Sequence, residues 1–231
     1  AGVRVDMSDT CHTHWVPQAG FAVNPTSDLT IKASMAKGDR NPSFRELYLY
    51  RMANPELQPE QMVNYEVSVD KSFGSLFSAS VTGYFTRGSQ MIQTVRAKNV
   101  NTGKFYNKGI ELTMFSHPVS NLTLRASYSY LHSSLHLLTC APRHQYYIGA
   151  DWTPVKPLQI SADLKGVARM LADEDMPMQS YATLNLNTTY TVNRFIALTL
   201  SMENITCARY TIVPGYEMPG ITAMGGIKVN F

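Results

Sequence analysis

Apolar and polar residues alternate along most of this chain, which predicts β-strands with two chemically different faces. Leu122, Leu124, Ala126, Tyr128 and Tyr130 are interleaved with Thr123, Arg125, Ser127 and Ser129. Leu158, Ile160, Ala162 and Leu164 are interleaved with Gln159, Ser161, Asp163 and Lys165, and Ile196, Leu198, Leu200 and Met202 follow the same rule. The last segment carries Ile221, Ala223, Gly225, Ile227, Val229 and Phe231 on one face. The pattern predicts about twelve strands, starting near Ala1, Trp15, Leu29, Met62, Leu76, Lys104, Asn121, Arg143, Leu158, Tyr181, Arg194 and Ile221. Most are about 9–12 residues long, close to the reach of a tilted membrane strand, whereas soluble strands run nearer about five or six.

The connections alternate in length. Short ones lie at Pro25 to Asp28, Phe73 to Ser75, His117 to Ser120, Thr153 to Pro157 and Val192 to Arg194. Long ones fall between them, around residues 7–14, 39–61, 88–103, 133–142, 170–179 and 206–220. This rhythm puts every tight turn at one end and every long loop at the other, the asymmetry of outer-membrane barrels with short periplasmic turns and long extracellular loops. Aromatics gather at both ends: Phe73, Phe77, Trp152, Tyr190, Phe195 and Phe231 near the turns, and Tyr84, Phe85, Tyr128, Tyr130, Tyr146 and Tyr181 near the loops. The expected fold is all-β, an antiparallel up-and-down transmembrane β-barrel. A soluble β-sandwich would alternate too, but with shorter strands and no loop rhythm.

Composition narrows the picture only a little. Charged residues make up 16% of the chain and the net charge is +3, which gives no case for nucleic acid. No run of about 18 apolar residues exists, so no membrane helix is expected; a β-barrel stays open. The chain begins AGVRVDM in mid-pattern, without an initiator methionine or an apolar leader, and is expected to be a piece of a longer protein. Cys11, Cys140 and Cys207 are far apart, without metal-finger spacing.

One stretch breaks the strand pattern: GDRNPSFRELYLYRMANPELQPEQMVNYE, from Gly38 to Glu66. Its Asn41-Pro42 and Asn54-Pro55 pairs, with Pro59, push the backbone towards extended and turn conformations. A loop of this length in a compact domain is commonly functional. Gly38, Arg40, Pro42, Leu47 and Tyr48, then Asn54, Pro55, Leu57, Pro59 and Glu60, then Tyr65 and Glu66, resemble in order the receptor domain of TonB-dependent outer-membrane transporters. Further likenesses are VPQAGF (Val16 to Phe21), NKGIELTM (Asn107 to Met114) and the closing Met202 to Asn204, Tyr210, Pro214 to Gly220 and Phe231.

The resemblance implies a barrel of about 22 strands closed around a separate plug. Residues 1–231 would be a partial receptor β-barrel domain, supplying about twelve C-terminal strands and no plug. It also implies a bacterial outer-membrane location in contact with lipid, and uptake of a scarce nutrient such as a ferric siderophore, haem, cobalamin or a metal chelate. Expected partners are the plug domain, a TonB-type energy-coupling complex acting through a missing N-terminal region, and the barrel-assembly machinery, which would read Phe231 at the end of the last strand. No resident cofactor is expected; an iron chelate, haem, cobalamin or copper would be cargo. The alternative is a passive outer-membrane porin or a surface adhesion barrel, without a plug or an energised partner.

The chemistry fits binding better than catalysis. The chain has no nucleophile elbow and no HExxH or phosphate-cradling loop, so an enzyme is not expected. Asn64, Glu66, Asp70, Arg125, Asp163, Lys165 and Asn185 read as the wet lining of a barrel wall. Arg40, Arg45, Tyr48, Tyr50 and Arg51 are candidates for meeting an anionic or catecholate chelate. His12 and His14, beside Cys11, would suit copper or haem iron, as would Met91, Met170, Met176, Met178, Met218, Cys140, Cys207, His132, His136 and His144 at the same end. The Arg40 to Asn54 segment resembles the place where haem-transporting relatives carry an Arg-Pro-rich motif and an Asn-Pro-x-Leu motif, but the histidine they place between the two is missing here.

Overall fold

The structure, a computed structural model, describes residues 1–7, 13–134, 140–173 and 176–229. Cys11, His12, His136 and Phe231 lie outside the described residues, and so does what was expected of them. In chain order come β1 (Gly2–Asp6), β2 (His14–Thr26), β3 (Leu29–Arg40), a short helix α1 (Phe44–Tyr48), β4 (Glu60–Phe73) and β5 (Phe77–Ser89). A small hairpin, β6 (Ile92–Val95) with β7 (Lys98–Asn101), precedes β8 (Phe105–Val119), β9 (Leu122–Ser133), β10 (His144–Val155) and β11 (Leu158–Ala168). A second hairpin, β12 (Leu171–Asp173) with β13 (Met176–Pro177), leads to β14 (Tyr181–Thr191) and β15 (Ile196–Glu203). A third, β16 (Thr211–Val213) with β17 (Tyr216–Glu217), precedes β18 (Thr222–Val229).

Twelve strands form one sheet in the order β1-β2-β3-β4-β5-β8-β9-β10-β11-β14-β15-β18, and each small hairpin is a two-stranded sheet of its own. Every sheet strand begins within two residues of the start predicted from alternation. The meander arises because short turns force sequential strands to pair antiparallel. The hairpins and α1 were not expected. They sit inside the long loops and leave the sheet order undisturbed.

The chain divides into two compact units. The first comprises Ala1–Val69, Thr82–Gly109 and His132–Leu135, and the second Asp70–Val81, Ile110–Leu131 and His136–Phe231. In neither is there a conventional core. The described buried apolar side chains are Val16, Leu47, Leu57, Phe105, Met170 and Ala197, and no large one is fully enclosed. Large apolar residues instead stand exposed on one face: Tyr65, Val67 and Val69 in the first unit, Ile148, Trp152, Leu198 and Leu200 in the second. Water would not tolerate this as a monomer surface, because contiguous apolar patches of such extent mark a membrane or partner face. That outcome removes the soluble sandwich.

The opposite face of the second unit is polar and internally paired. Arg125 Nη2 meets Asp151 Oδ2 at 2.7 Å, and the same carboxylate accepts from Ser161 Oγ at 2.6 Å. Asn185 Nδ2 donates to Asp163 Oδ2 at 2.9 Å. Of the residues expected in the loop-end girdle, Phe85, Tyr128 and Tyr146 are exposed on the apolar face. Tyr181 is a correction: it alternates with the polar set and stacks on Tyr210, with centroids 4.1 Å apart. Tyr146, directly opposite Gly166, lays its ring where a Cβ would otherwise sit; only glycine admits it.

Candidate ligand-binding loops

The loop between β3 and β4 is built from its ends inward. Arg40 closes β3 and Glu60 opens β4, and the guanidinium holds both oxygens of that carboxylate: Nε to Oε2 at 2.6 Å and Nη2 to Oε1 at 2.9 Å. The remaining edge donates to Glu46, Nη1 to Oε2 at 3.1 Å and Nη2 to Oε1 at 3.2 Å. Two-point pairing of this kind suits the planar fork of arginine, and lysine would not reproduce it. Arg40 thus spends its donors inside the loop.

Glu46 also caps α1. Its Oε2 accepts from the Ser43 N–H at 2.7 Å and from Ser43 Oγ at 2.8 Å, while Ser43 Oγ accepts from the Glu46 N–H at 3.3 Å. The reciprocal box is the Ser-x-x-Glu signature of a helix start, and it fixes a helix of a single turn that propensity alone would not sustain. Hydrogen bonds from Arg40 lower the Glu46 carboxyl to about 2; partial burial opposes the shift, and the Ser43 N–H and hydroxyl assist it.

Behind this clamp, Asn54 ties the loop to the β6–β7 hairpin. Its N–H donates to the Glu46 carbonyl at 2.9 Å and its Nδ2 to the Asn99 carbonyl at 2.9 Å, while Oδ1 accepts from the Glu56 N–H at 3.1 Å. The hairpin answers with Asn101, whose amide accepts from Gln58 N–H and donates to the Gln58 and Gln90 carbonyls. Glu60 Oε1 takes the Ile92 N–H at 2.7 Å. Leu47 and Leu57 are buried within the loop, as are Pro42 and Pro59. The motif residues Arg40, Pro42, Leu47, Asn54, Leu57, Pro59 and Glu60 are therefore the scaffold; Pro55 is exposed.

The other candidates face out. Arg45, Tyr48, Tyr50 and Arg51 are all exposed, Tyr50 at 69%. The Arg45 guanidinium carbon lies 5.0 Å from the Tyr50 ring centroid, and the Phe44 and Tyr48 rings are 5.2 Å apart. Tyr50 has φ of +69°, a strained conformation for a bulky residue that tends to mark functional sites. The arrangement offers cations and aromatic faces on a stiff base.

The loop between β15 and β18 has a different anchor. Asn204 is 4% exposed. Its Nδ2 donates to the Ala208 and Pro219 carbonyls at 2.9 and 3.1 Å, and its Oδ1 accepts from the Ala208 N–H at 2.9 Å and Thr206 Oγ1 at 3.2 Å. The Asn204 N–H donates to Asn185 Oδ1 at 3.0 Å.

The sulfur and imidazole candidates are scattered. His14 opens β2 opposite Asp6, with Nε2 enclosed and without a hydrogen-bond partner. His144 Nδ1 is 2.8 Å from Tyr128 Oη, and His132 stacks against Tyr106. Met170 is buried, and Cys140 and Cys207 are exposed free thiols. Among the described residues no three His, Cys, Asp or Glu side chains gather as a metal-binding group. Glu46, Asn99 and Asn101 were not anticipated; only Glu46 had a sequence signal, in its Ser-x-x-Glu spacing.

A long-stranded meander, apolar outside and polar on its other face, with organised loops at one end, defines part of an outer-membrane β-barrel. The family model described as TonB dependent receptor-like, beta-barrel, matches residues 1–205, and the chain belongs to that family. It is 28% identical over 233 residues to the vitamin B12 transporter BtuB of Photobacterium profundum, covering 94% of this chain and 38% of that protein. It is 22% identical over 245 residues to an iron-regulated outer membrane virulence protein of Vibrio cholerae, covering 88% and 37%. A solved ferric enterobactin receptor mutant from Pseudomonas aeruginosa, in complex with enterobactin, superposes with a TM-score of 0.84 at 17% identity, covering 99% of this chain and 42% of that one. The chain thus spans about two fifths of the length of these relatives. The chain is part of an outer-membrane β-barrel, with its long loops extracellular.

Proposed function

We propose that residues 1–231 are part of the receptor barrel of a transporter that captures a scarce metal chelate or cofactor on its extracellular loops and imports it. The observation that carries this reading is the division of labour in the loop between β3 and β4. Arg40, Asn54 and Glu60 are consumed in holding the loop, while Arg45, Tyr48, Tyr50 and Arg51 project from it. A preorganised base lowers the ordering cost of binding. Clustered guanidinium groups and phenol rings suit an anionic, aryl-bearing ferric chelate, through charge-assisted hydrogen bonds and ring stacking. Arg40 supports the loop rather than the ligand. The printed names of the relatives, vitamin B12 transporter and ferric enterobactin receptor, fit the same class of work.

On this reading a plug domain and a TonB-type coupling complex act through parts of the protein beyond this chain, and a passive porin or adhesion barrel is the competitor. The test is equilibrium binding of a ferric catecholate chelate to the full-length protein. Arg45→Ala combined with Tyr50→Ala is expected to weaken binding about tenfold or more, from the loss of a charged and an aromatic contact. Heat-modified gel mobility is expected to stay unchanged. Unaltered affinity in a correctly folded double variant overturns the assignment.

A further inference from the structure

The hairpin of β6 and β7, which lies in the loop between β5 and β8, breaks a local rule at its tip. Val95 pairs with Lys98, so Arg96 and Ala97 alone make the turn. Both are left-handed, at φ of +49° and +61°, a two-residue geometry that Asn-Gly or Asp-Gly fits best. Left-handed backbone is unfavourable for arginine and alanine alike. Such departures from local preference concentrate at functional positions. An arginine that served only solubility could stand anywhere on an exposed strand; at the tip it displaces the residues that suit the turn. Its side chain is exposed.

The hairpin is also held to the loop between β3 and β4. Asn99, only 9% exposed, donates its N–H to the Met52 carbonyl at 2.8 Å, and its own carbonyl accepts from Asn54 Nδ2 at 2.9 Å. Thr94 Oγ1, across the hairpin, donates to Asn99 Oδ1 at 2.8 Å. Together with the bonds of Asn101 to Gln58 and of Ile92 to Glu60, these make one platform of two loops. The seam joins the strand that carries Lys98 to the segment that carries Arg51. From Ser89 to Gly103 the chain has no acidic residue. Among the described residues no acidic side chain pairs with Arg45, Arg51, Arg96 or Lys98. Uncompensated cations on two joined loops raise the local potential, and a multiply charged anion lowers it.

We propose that the β6–β7 hairpin is a second arm of the ligand site, in which Arg96 contacts the ligand and selects it by charge. The arm favours a multiply anionic chelate, such as a ferric tris-catecholate, over a neutral one of the same metal. This rests on the binding role assigned to Arg45 and Tyr50, and adds to it the charge of the ligand and a residue from a different loop.

The experiment is equilibrium binding to the full-length protein of a ferric tris-catecholate, an anion, and of a ferric tris-hydroxamate, which is neutral. Arg96→Asn combined with Ala97→Gly installs the pair that suits the turn, so the hairpin is kept while the guanidinium goes. Affinity for the catecholate is expected to fall about tenfold, the loss of one charge-assisted contact, and to depend less steeply on salt than in the wild type. The neutral chelate is expected to bind the wild type more weakly, and equally weakly in the double variant. Resistance to proteolysis within residues 89–103 and heat-modified mobility report that hairpin and barrel are intact. Unaltered catecholate affinity in the double variant, or an equal loss for both chelates, overturns the proposal. If Arg45→Ala with Tyr50→Ala weakens catecholate binding and the hairpin variant does not, the second arm falls and the role of the first loop stands. If neither weakens it, or the wild type does not bind the catecholate, both fall.

Discussion

The loop between β3 and β4, in the first unit, and the loop between β15 and β18, in the second, both span long gaps between sheet strands, and both hang on an asparagine. Their chemistry differs. The first is held by charge, with Arg40 gripping Glu46 and Glu60 while Asn54 joins the loop to a hairpin. The second is held by one neutral amide, Asn204, whose two donors and oxygen are all engaged within its own loop. A charged clamp resists pulling from several directions but depends on protonation and salt. A saturated amide depends on neither, yet concentrates the loop's order in one residue. The difference is testable by asking what each loop loses when its anchor is altered.

The largest effect is expected at Asn204. Asn204→Ala leaves the Ala208 and Pro219 carbonyls and the Ala208 N–H without their partner, and puts alanine at φ of +50°. Unsatisfied buried groups cost about 1–3 kcal/mol each, and left-handed backbone adds about 1–2 more. Some rearrangement will offset this, so about 3 kcal/mol of local stability is expected to go. Limited proteolysis within residues 205–220 is the readout; wild-type resistance in the variant would remove Asn204 as the anchor. Next is Leu57→Ala, which deletes a side chain only 4% exposed. About 2 kcal/mol is expected from such a truncation, seen as proteolysis within residues 41–59 and not within 205–220. If both loops loosened together, the two would not be independent.

The strands were legible because two solvents write the alternation: acyl chains on one face, polar lining on the other. The loops were less so. Arg40 and Glu60 are far apart in sequence, and an arginine among tyrosines reads as a ligand group until its carboxylates are seen. The β6–β7 hairpin was hidden for a local reason. Its turn residues Arg96 and Ala97 have φ of +49° and +61°, positions where Asn-Gly or Asp-Gly would have announced a tight hairpin. By contrast the capping box at Ser43 and Glu46 is a legible helix-start signal, outweighed in the sequence by the proline-driven turn signals around it. Asn204 closes a motif visible in sequence, but nothing in the sequence distinguishes an amide that holds a loop from one that merely follows a strand.

The smallest effect carries the sharpest contrast, because its sign reverses. Arg40→Gln leaves Glu46 and Glu60 facing each other without a cation, and about 1–2 kcal/mol of loop order is expected to be lost at neutral pH, a modest figure because the clamp is partly solvent-exposed. In the wild type the folded Glu46 carboxyl is lowered to about 2 by Arg40. Its contribution is therefore fully present above the unfolded value of about 4.5 and fades as pH falls towards about 2. In Arg40→Gln the two carboxylates repel, which raises their affinity for a proton, so acidification relieves the strain and restores order. Proteolysis within residues 41–59, measured with an acid-active protease between neutral pH and about 3, is expected to rise in the wild type and fall in the variant as pH drops. The Asn204 loop, which has no ionised anchor, is expected to change little in either protein. A parallel pH response in wild type and variant would mean that the clamp is geometry without electrostatic consequence, and the contrast between the two loops would then rest on shape alone.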